Sequence, residues 1–347
     1  PMITPKQAGM WMPPEWGPHA ATLMSWPARR DLWGERLEDA KGEYAGVARA
    51  IADFEPVIMV CGPSEERDVR DRCGTGVETL TAPLDDSWLR DNGPTFVRND
   101  AGQVAAVKFE FNSWGERFLP YDADDALPYR IAEHLGMPIF TAPFVLEGGS
   151  FLVDGEGTLL TTEICLLNEN RNPDMTKAQI EQGLRDYLGV DTIVWLPYGM
   201  AADVGPNATD GHIDGVAQYL APGYVLLLAP EDPDDDDYAF GRENLQRLQQ
   251  ARDAQGRAFR IARLDVGVGA ELSYANCYLA NGVVIVPTAG DERDEESLAQ
   301  IAALLPDRQI VGTPGLTLNF GGGGPHCITQ QVPAGEPVQD QVTATRR

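Results

Sequence analysis

Phe144-Val145-Leu146-Glu147-Gly148-Gly149-Ser150-Phe151-Leu152-Val153 is followed by Asp154-Gly155 and then by Thr158 to Thr161. Apolar and β-branched residues flank a turn dipeptide, so the stretch reads as paired strands joined by a tight turn. Downstream, Thr176-Lys177-Ala178-Gln179 has the spacing of a capping box, in which the Thr and Gln side chains satisfy backbone N–H groups reciprocally. It opens a helix to about Leu188, and Thr192 to Leu196 is again strand-like. Two strands, a helix and a third strand make one α/β module. Glu147 is the oddity in it, a carboxylate in an apolar strand, followed by two glycines.

The same rhythm extends in both directions. Upstream, Ala20 to Trp26 reads as a strand. Tyr44, Val47, Ala48, Ile51 and Phe54 recur at helical spacing, Val57 to Cys61 is a buried strand, and Ser64 with two glutamates opens a short helix. Strands follow at Val77 to Ala82 and Val104 to Phe111, with a helix over Asp124 to Leu135. Downstream, Tyr224 to Ala229 is a strand, Tyr238 to Ala254 a helix, and Phe259 to Leu264 and Tyr274 to Leu279 are strands. Asn281-Gly282 turns a hairpin into Val283 to Pro287, and a helix spans Asp294 to Leu305. No Ser/Gly/Pro-rich linker interrupts the series, so 1–347 reads as a single domain.

The 347 residues carry 27 basic and 53 acidic side chains, a net charge of −26. Such a surface repels nucleic acid and anionic membranes and is compatible with a cationic substrate. No apolar run approaches the length of a membrane span. The five cysteines are scattered, without Cys-x-x-Cys spacing, which fits a reducing, cytoplasmic setting better than a disulfide framework or a zinc finger.

Polar residues stand at strand ends, out of place among apolar or glycine neighbours. Asp91 lies in Asp85-Asp86-Ser87-Trp88-Leu89-Arg90-Asp91-Asn92-Gly93-Pro94. His212 and Asp214 lie in Thr209-Asp210-Gly211-His212-Ile213-Asp214, where a strand would turn Asp210, His212 and Asp214 to one face. Cys327 ends the set, in Gly321-Gly322-Gly323-Gly324-Pro325-His326-Cys327-Ile328-Thr329-Gln330-Gln331. Any single stretch of this kind is more plainly a glycine-rich turn before a buried free cysteine. Together, a thiol, a histidine and several carboxylates suit chemistry on a guanidinium. Carboxylates match its paired N–H donors, a thiolate can attack its carbon, and a histidine can protonate departing ammonia and then activate water. His326 is a poorer base than His212, since neighbours on an extended chain point to opposite sides. A metal is not expected, because no second His or Cys stands at ligand spacing.

The chain resembles the agmatine deiminase family of the guanidine-modifying (pentein) superfamily, related to the bacterial-type peptidylarginine deiminases. The likeness runs through Met12-Pro13-Pro14-Glu15-Trp16 with His19, the Asp85 to Pro94 stretch, Phe111-Asn112-Ser113-Trp114-Gly115 and Leu146-Glu147-Gly148-Gly149-Ser150. It continues through Asn168-Glu169-Asn170-Arg171-Asn172-Pro173, the Thr209 to Asp214 stretch, Ser273-Tyr274-Ala275-Asn276 and the closing His326-Cys327 motif. The resemblance implies a five-bladed α/β propeller of ββαβ modules about a pseudo-fivefold axis. It implies Cys327 as nucleophile, His212 as general acid/base, Glu147 as its orienting partner or a guanidinium ligand, and Asp91 and Asp214 as guanidinium ligands. Trp88 would wall the pocket, with Trp114 and Asp210 as further substrate contacts. The implied reaction takes agmatine to N-carbamoylputrescine and ammonia with no cofactor, and a homo-oligomer is left open. Gly215, Gly324-Pro325 and the 201–208 stretch depart from the family pattern beside the site. A different small guanidino compound, or transfer of the amidino group to an amine, is the alternative.

Overall fold

The computed structural model describes residues 3–338 as a mixed α/β fold with five sheets. Each sheet repeats one plan: an antiparallel pair, then a helix, then a third strand parallel to the middle one. Phe151–Val153 pairs antiparallel with Thr158–Thr162, the helix Lys177–Leu188 crosses over, and Thr192–Leu196 pairs parallel with Thr158–Thr162. Ala217–Ala221, Tyr224–Leu228 and Arg260–Leu264 do the same around the helix Tyr238–Gln250. Tyr278–Ala280, Val283–Thr288 and Gln309–Pro314 follow suit around Arg293–Leu304. Thr95–Asn99, Gln103–Glu110 and Ile139–Val145 do so around Asp122–His134. Parallel neighbours need such a crossover, and a helix supplies it while covering the sheet.

The remaining sheet joins the two ends of the chain. Thr329–Pro333 runs antiparallel to His19–Ser25, which pairs parallel with Val57–Cys61 across the helix Leu37–Ala52. That helix buries Tyr44, Val47, Ala48 and Ile51, the residues at helical spacing in the sequence. The capping box at Thr176 forms, and Gly189 ends its helix in the left-handed region at φ 67°.

Four local expectations need correction. Phe144 to Val153 is not one strand: Ile139–Val145 ends, Gly148–Ser150 forms a 3₁₀ turn, and Phe151–Val153 begins a different sheet. Asp210 to Asp214 is not a strand either. Asp210 and Gly211 take positive φ (66° and 89°), and Ile213–Gly215 is a 3₁₀ turn. The strand begins at Tyr278 rather than Tyr274, because 274–277 is a turn. The helix after Ser64 starts at Glu66 with no side-chain cap, so the dipole-favoured acids, not Ser64, occupy its first turn.

Each antiparallel pair is entered by a short irregular segment. Residues 88–93 precede Thr95–Asn99, 147–150 precede Phe151–Val153 and 212–215 precede Ala217–Ala221. Residues 273–276 precede Tyr278–Ala280, and 326–328 precede Thr329–Pro333. These five segments carry Asp91, Glu147, His212 with Asp214, Asn276 and Cys327.

Candidate active site

Two of the entry segments meet a third at Gly149. A methyl group there would stand 2.6 Å from His212 Nδ1, 2.9 Å from Asp214 Oδ2 and 2.9 Å from Asp91 Oδ1. Only a residue without Cβ lets those three side chains meet. Its neighbour Gly148 is as constrained, since a Cβ would lie 2.1 Å from the Arg90 carbonyl oxygen. The two glycines after Glu147 therefore bring groups from two other segments against one backbone.

On one side of this point sit His212, Asp91 and Glu147, all buried. Asp91 Oδ2 accepts from Trp114 Nε1 at 2.9 Å, and Oδ1 accepts from the Gly149 N–H at 2.9 Å. His212 Nδ1 is 3.8 Å from Asp91 Oδ2 and its Nε2 is 3.9 Å from Glu147 Oε1. Both are ion-pair distances, too long for hydrogen bonds. Nε2 makes no hydrogen bond among the described residues. Glu147 is held by Arg171, whose Nε donates to Oε1 at 2.6 Å. Asp203 braces the loop from beneath, accepting from the N–H groups of Thr209, Gly211 and His212 at 2.7, 3.0 and 3.1 Å.

On the other side sits the thiol. Cys327 Sγ lies 3.2 Å from Asn276 Nδ2 and 3.5 Å from Asp214 Oδ2, and the residue is 8 % exposed. Asp214 Oδ2 also receives His326 Nδ1 at 2.9 Å. A cavity of about 400 Å³ opens onto Cys327, His212 and Asp214. Its outer wall includes Met200, Val204, Leu272 and Phe320, and among the described residues no lysine or arginine lines it.

Electrostatics sort these groups by role. Burial pushes the Cys327 thiol well above its usual range, and the Asp214 and Asp91 carboxylates add to it. Burial would lower His212, but Asp91 foremost among its neighbours holds the proton, so the imidazole stands well above its ordinary value. Burial also raises Asp91 to about 6, with Asp214 and Glu147 adding to the shift and His212 opposing it. Glu147 resists burial because Arg171 and then His212 favour its anion, and it sits at about 2. Asp214 is likewise held below its usual range, against burial, by His326. The site therefore holds a neutral thiol, an imidazolium and several anions. A bound cation beside the sulfur would reverse that bias toward the thiolate.

The remaining sequence candidates lie elsewhere. Asp210 pairs with Arg171 at 2.8 Å and with Arg117, and accepts from Asn170 at 2.9 Å, so its positive-φ backbone turns it away from His212 and Asp214. Trp114 touches Asp91 rather than the cavity. Trp88 stacks on Trp33 with centroids 5.8 Å apart and lies against the backbone of Gly323. Sequence reasoning passed over Glu15, Arg171, Asp203 and Asn276 as site residues. Three of them stand inside motifs quoted above, and only Asp203 had no motif to mark it.

The chain is similar to known proteins over nearly all of its length. The family model of Porphyromonas-type peptidyl-arginine deiminases matches residues 11–333. An agmatine deiminase of Pseudomonas aeruginosa is 40% identical over 365 aligned positions, covering 96% of this chain and 98% of its own. The structure of an Enterococcus faecalis agmatine deiminase superposes with a TM-score of 0.90 at 37% identity, over 95% of this chain and 98% of that one. A Campylobacter jejuni agmatine deiminase with substrate bound gives 0.84 at 28% identity, over 94% and 97%. A dimethylarginine dimethylaminohydrolase, at 14% identity and a TM-score of 0.54, shares the fold alone. The chain belongs to the family of agmatine deiminases and Porphyromonas-type peptidyl-arginine deiminases.

Proposed function

We propose that this protein hydrolyses the guanidinium group of agmatine, giving N-carbamoylputrescine and ammonia through a covalent Cys327 intermediate. The observation that carries the reading is that His212, Asp91 and Asp214 meet at Gly149 while Asp214 also reaches the Cys327 thiol at 3.5 Å, with His212, Asp214 and Cys327 all lining one cavity. Asp91 and Asp214 flank the guanidinium and hold its charge beside Cys327. The sulfur, as thiolate, attacks the central carbon. One C–N bond breaks, the nitrogen leaves as ammonia with a proton from His212, and a thiouronium remains. Water then gives a proton to His212 and attacks the same carbon; the C–S bond breaks, releasing the ureido product and the thiol. Glu147, fixed by Arg171, keeps His212 oriented and charged. Trp88 and Trp114 support the site from behind, the latter through Asp91. Asp210 acts by fixing Arg171 rather than by touching substrate.

The five matching entry segments support a ring of five blades about a central axis, and so one catalytic domain. The family names and the five free cysteines support a small cationic guanidine as partner and a reducing, cytoplasmic setting. Assembly into a homo-oligomer stays with the proposal as an open arm, read by light scattering.

One observation favours a second substrate. The 400 Å³ cavity lies in the range drug-sized ligands occupy, about 300–1,000 Å³. That supports a guanidine with a bulkier, apolar tail. A panel of agmatine, arginine, short guanidino acids and peptidyl-arginine, scored for ammonia and ureido product, decides it. Agmatine turning over best keeps the first reading. Another guanidine doing so moves the substrate and leaves the reaction, while amidino transfer to an added amine without ureido product overturns hydrolysis.

A further inference from the structure

Glu15 belongs to an N-terminal stretch of prolines and aromatics that the reaction above does not use. Yet its carboxylate ends a buried row. Glu15 Oε2 lies 2.7 Å from His326 Nε2, His326 Nδ1 lies 2.9 Å from Asp214 Oδ2, and Asp214 Oδ2 lies 3.5 Å from Cys327 Sγ. Both imidazole nitrogens face carboxylates, so a protonated ring satisfies both. Asn276 Oδ1 accepts the His326 backbone N–H at 3.1 Å while its Nδ2 reaches the sulfur, fixing the ring and the thiol to one side chain. Glu15 is fixed in turn, since Oε1 accepts from the Leu279 N–H at 2.8 Å and from Gln218 Nε2 at 3.2 Å.

We propose that Glu15 is a positioning residue for the nucleophile: by keeping His326 cationic it holds Asp214 ionised and aimed, and so limits the charge that Cys327 must overcome to become a thiolate. The inference rests on the reading of Cys327 as nucleophile. Without the imidazolium, Asp214 adds an uncompensated negative charge 3.5 Å from the sulfur, and the thiolate costs more. The groups facing this row are few. Arg90 Nη2 is 3.8 Å from Glu15 Oε2, and Arg308, Cys277 and Tyr278 face Glu15 from the other elements packed on it. His212, Asp91 and Cys327 face Asp214. Arg90 is itself tied to Gln330 and Gln331 at 2.7 and 2.9 Å, so it cannot swing to replace the imidazolium. The direction agrees with burial and Arg90 lowering His326 while Glu15 and Asp214 override them and raise it.

The test is Glu15→Gln, in which the new amide can donate to a neutral His326 and preserve the row's shape while removing its charge. Cys327 is titrated through the pH dependence of iodoacetamide alkylation, which needs no turnover and so stands apart from the choice of substrate. The thiol profile is expected to move up by about one pH unit, and kcat/KM at pH 7 to fall about tenfold. His326→Gln should give the same shift, and adding Glu15→Gln to it should add nothing, because both act through one charge. An unchanged alkylation profile in either folded variant overturns the proposal. So does a Glu15→Gln shift that persists undiminished when His326 is already Gln, since that would make its effect structural. If Glu15→Gln does not fold, the His326→Gln profile alone decides.

Discussion

The floor and the mouth of the cavity are built on opposite terms. On the floor, Asp91, Glu147, His212, Asp214 and Cys327 are all under one-tenth exposed, and each is held by a named partner. At the mouth, Val204 is 56 % exposed and Phe320 47 %. A buried charge must be paired and hydrogen-bonded, so a change at any one floor residue strands another. An exposed apolar wall carries no such debt and can change freely. On the proposed function, the contrast assigns the reaction to the floor and the choice of substrate tail to the mouth. Residues of the 201–208 stretch, Gly215 and Gly324, singled out in the sequence beside the site, line this cavity.

Removing the sulfur should break the floor outright. Cys327→Ala is expected to cut turnover by several orders of magnitude while leaving the melting transition near the parent's, measured by ammonia release and thermal unfolding. Substantial residual turnover would mean that another group performs the attack. Gly149→Ala should come next, lowering kcat by about 100-fold, because a methyl 2.6 Å from His212 Nδ1 displaces imidazole and carboxylates together. A near-normal rate there would show that the three groups need not converge.

Asp91 provides a pH test of the floor. Its carboxyl, at about 6, must be ionised to hold a guanidinium, so kcat/KM should decline below pH 6 with an acid limb that Asp91→Asn removes along with most of the activity. Glu147 gives the matching stability test. Its folded value of about 2 lies below its ordinary one, so its contribution is complete above about pH 4.5 and is lost as pH falls toward 2. Glu147→Gln should therefore lose stability at pH 7 and lose less at pH 3, compared by urea midpoints. The mouth should show the smallest and most selective effect. Phe320→Ala is expected to shift relative kcat/KM between guanidines of different tail length by about tenfold, mostly through KM, with the Cys327 alkylation profile unchanged. A uniform fall for every substrate would erase the distinction between mouth and floor.

The module order was legible because hydrophobic periodicity survives in single sequences. Val57–Cys61 and Thr192–Leu196 fall at their expected boundaries, and the capping box at Thr176 forms. What failed were backbone conformations set by distant partners. Glu147 stood out as a carboxylate in a strand, yet it occupies a break between strands, where Arg171 can reach it. Asp210 was placed beside His212 by the two-residue period of a strand. Asp203 instead gathers the following N–H groups, and the chain takes positive φ. The helix Leu316–Gly321 was hidden by the glycines after it. His326 was set aside on the premise of an extended chain, but a turn precedes Thr329–Pro333, and the ring points inward to Asp214. Glu15 and Asn276 act across more than fifty residues of sequence, a separation no local pattern reports.

The pairing of Thr329–Pro333 with His19–Ser25 carries a practical consequence. The proposed nucleophile, Cys327, stands just before a strand whose partner lies far earlier in the sequence, so the thiol is placed only once those two distant strands have paired. Deleting either strand, or a fusion that pries the two apart, should disarm the proposed site before it disturbs the helices. Permuting the chain by joining its ends and cutting in an exposed turn such as Asp234 to Asp236 would test how far catalysis depends on that late seam.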